Sequence, residues 1–362
     1  MNINYITYDS WWDTDKTILP DLCKEHCIRC FVLNPQMSER KFDTKEICGL
    51  DSLNQIEFPY RDRDIRTFFK TFSYFRTINK NIRNKDFVNI YVPGKNPLFL
   101  LLFLLFAPCE RTIICIHNFQ EHSGGRFSNI TEKIKMLYYK HFDFFLFYSR
   151  RQLSKFSESY NNKAGFCLEM PLKDFGSPVH LNKSDKVRFL FFGLIKEYKN
   201  LKLFIQAANL IEDNRAEFFI AGNCNNWDEY KKLIVNKNII TDIRFIRNEE
   251  IPSIFCASDF LVLPYKDATQ SGPLLTALNY GLPVIASDIE EFKPYITHGV
   301  NGFLFENGND KALGDLFNKV ICMSAEDRIN IKQQQLLERE RYKEKCDINE
   351  SFNSIFKKIN FF

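Results

Sequence analysis

Three apolar runs in the second half of the chain stop abruptly at a glycine or a proline, and helical patterns alternate with the apolar runs. VRFLFFG (187–193), AEFFIAG (216–222) and FLVLPY (260–265) have the length and side chains of buried strands, and PVIASD (283–288) reads as another. Helical patterns follow in LKLFIQAANLI (201–211), IPSIFCASD (251–259) and GPLLTALNYG (272–281), and IRFIRN (243–248) reads as a further strand. Apolar strands separated by helices require a parallel sheet covered on both faces.

The first half repeats the alternation. NINYITY (2–8), CIRCFVLN (27–34), FVNIYVP (87–93), RTIICIHN (111–118) and DFFLFYS (143–149) read as strands, TILPDLCKEH (17–26) and PLFLLLFLLFA (97–107) as helices, the latter buried. Between the halves, GSPVHLNKSDK (176–186) is polar and turn-rich, as a linker should be. A length of 362 residues, 45% hydrophobic and 26% charged, fits two globular domains. The expected division is 1–175, 176–340 and a C-terminal helix, 341–362, returning toward the first domain. Each domain is a doubly wound, Rossmann-like α/β sheet, and such pairs usually hold a ligand in the cleft between them, at the carboxyl ends of strands.

Charge narrows the partners. Residues 1–175 carry 25 Lys and Arg against 20 Asp and Glu, and the remainder 24 against 25. That suits phosphate-bearing ligands or an anionic surface and falls far short of a nucleic-acid-binding balance. The opening MNINYITYDS lacks a basic-then-apolar leader, and the run from Leu98 to Ala107 is too short to span a bilayer. With 11 cysteines these features lead us to expect a cytoplasmic chain with reduced thiols. Cys23, His26, Cys27 and Cys30 contain a Cys-x-x-Cys, but strand alternation across 28–33 points neighbouring ligands apart, so core cysteines are expected and not a metal site.

Three segments carry candidate chemistry. In KDATQSGP (266–273) the loop leaving one strand opens a helix with Ser271, Gly272 and Pro273, whose free N–H groups suit a diphosphate; an ordinary capped helix has the same signature. In FFGLIKEYKN (191–200), Gly193 ends a strand and Lys196 and Lys199 follow, either as a pair of cations for a departing diphosphate or as solvated surface lysines. In RTIICIHNFQEHSGGR (111–126), His117 sits at a strand's carboxyl end, with His122 and Arg126 in the loop beyond.

Taken together, G-L-I-K-x-Y-K-N, F-F-I-A-G, the strand-Pro-loop-helix ending in Y-G-L-P-V-I-A-S, and H-G-V-N-G-F-L-F resemble the retaining GT-B glycosyltransferases of glycosyltransferase family 4, closely over 187–320 and loosely over 1–175. The resemblance implies a GT-B fold and a hexosyltransferase that moves a sugar from a nucleotide-diphosphate donor to a glycan or lipid-linked acceptor with retention. Work in cell-surface polysaccharide biosynthesis, without a metal or other cofactor, is also implied. It implies that Lys196 and Lys199 bind the diphosphate and that His117 faces the transferred sugar. Gly193, Gln270, Ser271, Gly272 and Pro273 would line the donor site, with Asn248 near the base. One departure stands out: the family's Glu-x7-Glu pair is Ala268 and Thr276 here, with Asp267 and the Thr276 hydroxyl as candidate substitutes. Asp13, His122 and Arg126 are acceptor-side candidates.

Rival readings remain at this stage. Asp-x-Asp strings at Asp13/Asp15 and Asp62/Asp64 are what a metal-dependent GT-A enzyme would carry, and the missing glutamates fit an inactive GT-B binding protein. A GT-B sugar-nucleotide epimerase would need a carboxylate pair that the sequence does not display. Finally, 61–85 holds eight basic and two acidic residues with Phe68, Phe69, Phe72 and Phe75 at near-helical spacing. That pattern fits either a core-facing helix with a basic edge or peripheral docking on the inner face of an anionic membrane.

Overall fold

The computed structural model describes residues 1–35, 49–58, 65–94, 96–117, 119, 129–179 and 185–359. They form two compact units: unit 1 takes the described residues of 1–171 and 346–362, and unit 2 those of 172–345.

In chain order unit 1 runs β1 (Asn2–Tyr8), α1 (Trp12–Leu22), β2 (Cys27–Pro35), β3 (Ser52–Phe58), α2 (Ile65–Ile82), β4 (Phe87–Tyr91), α3 (Pro97–Phe106), β5 (Thr112–Ile116), α4 (Asn129–His141), β6 (Phe144–Phe147), α5 (Arg150–Ser159) and β7 (Ala164–Cys167). Unit 2 runs β8 (Val187–Phe192), α6 (Leu201–Asn209), β9 (Ala216–Ala221), α7 (Trp227–Lys231), β10 (Ile239–Asp242), α8 (Ile251–Cys256), β11 (Phe260–Leu263), α9 (Gly272–Asn279), β12 (Val284–Ser287), β13 (Gly302–Phe305), α10 (Asp310–Cys322) and α11 (Ala325–Lys345). The last helix, α12 (Ile348–Lys358), returns to unit 1, where Asn349 donates to the Asp21 carbonyl at 2.8 Å and Asn353 to Glu25 at 2.7 Å.

Both sheets are parallel and doubly wound. Their orders are β3-β2-β1-β4-β5-β6-β7 and β10-β9-β8-β11-β12-β13, so each reverses direction beside its first strand. That reversal leaves a crevice outside the carboxyl ends, between β1 and β4 in unit 1 and between β8 and β11 in unit 2. Much of the phenylalanine is structural. Phe189, Phe204, Phe218 and Phe317 meet around one face of the second sheet, and Tyr91, Phe99, Phe103 and Phe142 around one face of the first. Each such buried ring contributes roughly 1.5–3 kcal/mol relative to exposure.

Several element readings need correcting. The helix expected at 17–26 begins at Trp12 and ends at Leu22, and the strand expected at 243–248 is instead Ile239–Asp242. Helix α3 is only half-buried, because Leu101, Leu105 and Phe106 face outward. The GT-A reading of the Asp-x-Asp strings fails on the fold and, for the first string, on its chemistry. Asp15 is buried and accepts hydrogen bonds from Tyr5 Oη (2.7 Å) and Thr7 Oγ1 (2.6 Å), so it braces β1 against α1. Asp62 and Asp64 lie outside the described residues. Among the described residues no group of three or more His, Cys, Asp or Glu side chains gathers as a metal site would.

Candidate active site

At the crevice of unit 2, β8 ends in Gly193, whose φ of +101° lies in the left-handed region that glycine enters without a steric cost. Its carbonyl presses on Gly222 (φ +146°), where any Cβ would collide with the Gly193 backbone. The chain then passes through a 3-10 turn, Glu197–Lys199, and enters α6 through Asn200 in a left-handed conformation (φ 54°). This route turns the Lys199 side chain inward.

Lys199 is only 7% exposed. Its Nζ stands 3.2 Å from where a Gly193 Cβ would lie, a point that is itself 3.7 Å from the Pro273 ring, and 5.6 Å from the centre of the Tyr265 ring. Among the described residues the ammonium has no hydrogen-bond or ion-pair partner. Burial, reinforced by the nearby charge of Lys196, lowers its pKa to about 8. A buried, unpaired cation costs stability, so its retention points to a ligand that supplies the missing charge.

That charge faces the start of α9. Ser271 caps the helix, its Oγ accepting from Leu274 N at 3.3 Å, and Pro273 occupies the first turn. The backbone N–H groups of Ser271 and Gly272 precede the helix's own ladder and, with the helix dipole, suit an anion. Among the described residues a further buried polar atom in this neighbourhood, Gln270 Nε2, lacks a hydrogen-bond partner. The lysine, the glycine turn and the helix start thus converge at the switch point of one sheet.

The other donor-side residues vary. Lys196 is exposed beside Lys199, and Asp267 is half-buried near Tyr198. Asn248 opens a 3-10 turn after β10 and is half-buried. Thr276 is 3% exposed, and its hydroxyl donates to the Gly272 carbonyl at 2.9 Å, bonding back into the helix. Ala268 is buried. Sequence reasoning missed Lys173, whose Nζ lies 3.5 Å from where a Gly272 Cβ would be. The Tyr280 hydroxyl, accepting from Phe175 N at 2.8 Å, holds this segment against α9. Nothing local in PLKDF marked Lys173, because only the fold brings 173 to 272.

In unit 1 the predicted histidine ends β5, where its ring is sandwiched. Trp11 stacks at 3.3 Å between centroids and 8° between planes, and Tyr148 at 4.7 Å and 24°. His117 helps to line a cavity of about 240 Å³ with Trp11, Pro93, Gly94, Leu100 and Tyr138, and Lys135 at its wall. Gly94 is required there, since a Cβ would strike the Tyr8 ring. Asp13 lies in the first turn of α1, half-buried, 4.0 Å from Lys16. His122 and Arg126 lie outside the described residues.

Residues 173–336, the body of unit 2, match the family described as Glycosyl transferases group 1. The whole chain has the GT-B fold, similar to that of sucrose-phosphate synthase from Thermosynechococcus elongatus (TM-score 0.72, 12% identity, 99% of each chain). It is likewise similar to HepE from Anabaena, solved with UDP-glucose (TM-score 0.73, 13% identity, 100% of each chain). Among curated proteins, the GDP-mannose:glycolipid 4-beta-D-mannosyltransferase of Xanthomonas campestris pv. campestris is 29% identical over 134 residues, covering 35% of this chain and 38% of that protein. An uncharacterized 41.2 kDa protein in the cps region of Klebsiella pneumoniae is 26% identical over 129 residues, 35% of each chain. The matched stretch thus spans little more than a third of those relatives.

Proposed function

We propose that this chain is a hexosyltransferase that moves a sugar from a nucleotide-diphosphate donor to a glycan or lipid-linked acceptor, in the assembly of a cell-surface polysaccharide. The observation that carries the reading is Lys199: a buried, unpaired cation beside the Gly193 turn, at the switch point of the unit that matches the family.

In this reading the donor diphosphate takes the place that Lys199 and the start of α9 leave for an anion, with exposed Lys196 closing over it. As the glycosidic bond breaks, negative charge builds on the leaving diphosphate, and preorganised cations and N–H groups stabilise it more than they do the ground state. Two cations and a helix N-terminus supply this without a divalent metal. Gln270 and Asp267 are assigned to the sugar and Asn248 to the base. Thr276 acts through the helix it braces. The His117 cavity is assigned to the acceptor side or transferred sugar, its rigid aromatic sandwich fixing orientation. Retention of anomeric configuration rests on the resemblance to family 4.

The relatives suggest which donors come first: GDP-mannose from the mannosyltransferase, UDP-glucose from HepE, and a glycolipid as acceptor. The test is release of nucleoside diphosphate from a panel of nucleotide-sugars, with and without glycolipid acceptor and with a chelator in parallel. Acceptor-dependent release that survives the chelator, with the product's anomeric configuration by NMR the same as the donor's, is the expected result. Donor binding without release makes the chain a binding protein, loss with chelator restores a metal, and an inverted anomer removes retention.

A further inference from the structure

The surface of unit 1 carries a feature that the transfer reading does not use. Helix α2 buries Thr67, Thr71, Phe75, Ile78 and Ile82 and turns Ile65, Phe68, Phe69 and Phe72 outward, at 69%, 49%, 64% and 50% exposure. Phe68, Phe72 and Phe75 follow one another at i, i+4 and i+7, and Phe75 packs on Phe99 and Phe106 of α3. The outward strip therefore lies on the flank of α2 nearest α3. Across α3 it continues in Leu101, Leu105 and Phe106, and across α4, which packs beside α3, in Met136 and Leu137, all exposed. Single exposed apolar residues need no explanation, but a patch running over three adjacent helices does.

We propose that this three-helix face docks on the surface of an anionic lipid bilayer. Charge selects that occupant. From 65 to 85 the chain has six basic residues, Arg66, Lys70, Arg76, Lys80, Arg83 and Lys85, and no acidic one. All six are exposed, as are Lys133 and Lys140 on α4. Seating the same face of a second copy here would set cation against cation, whereas anionic headgroups neutralise the basic side chains while the phenylalanines enter the acyl boundary. No helix among the described residues is long and apolar enough to cross a membrane, so this contact lies along the surface. Cavity-lining Leu100 and Tyr138 precede outward Leu101 and follow outward Leu137, so the His117 cavity and the docking face share the walls of α3 and α4.

The test is co-sedimentation of the full chain with vesicles of neutral phosphatidylcholine or of phosphatidylcholine with phosphatidylglycerol, at low and high salt. We expect binding to the anionic vesicles only, weakening as salt shortens the Debye length. Lys70→Gln/Arg76→Gln/Lys80→Gln should cut affinity by roughly 100-fold, at about fivefold per cation. Phe68→Ser/Phe69→Ser/Phe72→Ser should abolish binding with the far-ultraviolet spectrum unchanged. Leu105→Ser/Met136→Ser should weaken it at least fivefold if α3 and α4 belong to the same face. Equal binding to neutral vesicles, no binding to anionic ones, or a concentration-dependent dimer that the serine triple variant disperses would overturn the proposal. None of these readouts depends on transfer, so the outcome is separate from that of the donor assignment.

Discussion

At the switch point of unit 1 the chain presents an aromatic stack, Trp11–His117–Tyr148, and a cavity walled by Leu100, Pro93 and Tyr138. At the corresponding point of unit 2 it presents Lys199, a glycine turn at Gly193 and a capped helix start at Ser271. The sheets share parallel pairing and the same reversal in strand order, yet one crevice is walled mainly by aromatic and aliphatic side chains, with Lys135 at its edge, and the other is cationic and rich in backbone donors. The fold fixes where a ligand goes, and the few residues after each strand fix its chemistry. On the proposed function, unit 2 receives the phosphate and unit 1 a ligand that stacks on aromatic rings, such as a sugar.

If that contrast is right, the largest loss comes from the charged side. Lys199→Ala should reduce kcat/KM by about 10²-fold or more, the scale of losing one preorganised charge-stabilising group. The variant should nevertheless melt slightly higher than the parent, because an unpaired buried cation is gone. Turnover near that of the parent would end the assignment. A smaller effect is expected on the aromatic side. His117→Ala removes two ring contacts, each worth up to about 1.5 kcal/mol. It should lower kcat roughly tenfold per folded molecule with donor KM little changed and a melting temperature a few degrees lower. If it unfolds while activity per folded molecule is normal, His117 is a core residue and the contrast between the two crevices loses one side.

The two halves were not equally legible from sequence. Strands β8, β9 and β11 announce themselves because they are central, apolar on both faces and stopped by Gly or Pro. Edge strands carry weaker signals. β3 reads SLNQIEF with Ile56 the one buried hydrophobic side chain among its described ones, and β10 reads IITD with two of four residues exposed, so the first was missed and the second displaced. In the site, the capped helix start at Ser271 was visible in its Ser-Gly-Pro string. The burial of Lys199 was not, since a lysine six residues after a glycine turn looks the same whether it points to solvent or inward. The three outward phenylalanines of α2 could not be told from core residues, because their spacing fits a helix face but does not say which way the face turns.

The central claim is that Lys199 waits for a diphosphate, and it can be tested through its proton. With its pKa at about 8 in the free protein, Lys199 is largely ammonium below that pH and neutral above it. A bound anion favours the charged form and raises that pKa, so binding takes up a proton near pH 8 and weakens as pH rises. Calorimetric titration with GDP and UDP from about pH 7 to about pH 9, in buffers of different ionisation enthalpy, reads both quantities. The account predicts proton uptake on binding, an affinity falling toward about tenfold per pH unit above pH 8, and loss of both in Lys199→Met. Affinity that stays flat through pH 8 with no proton taken up would contradict it.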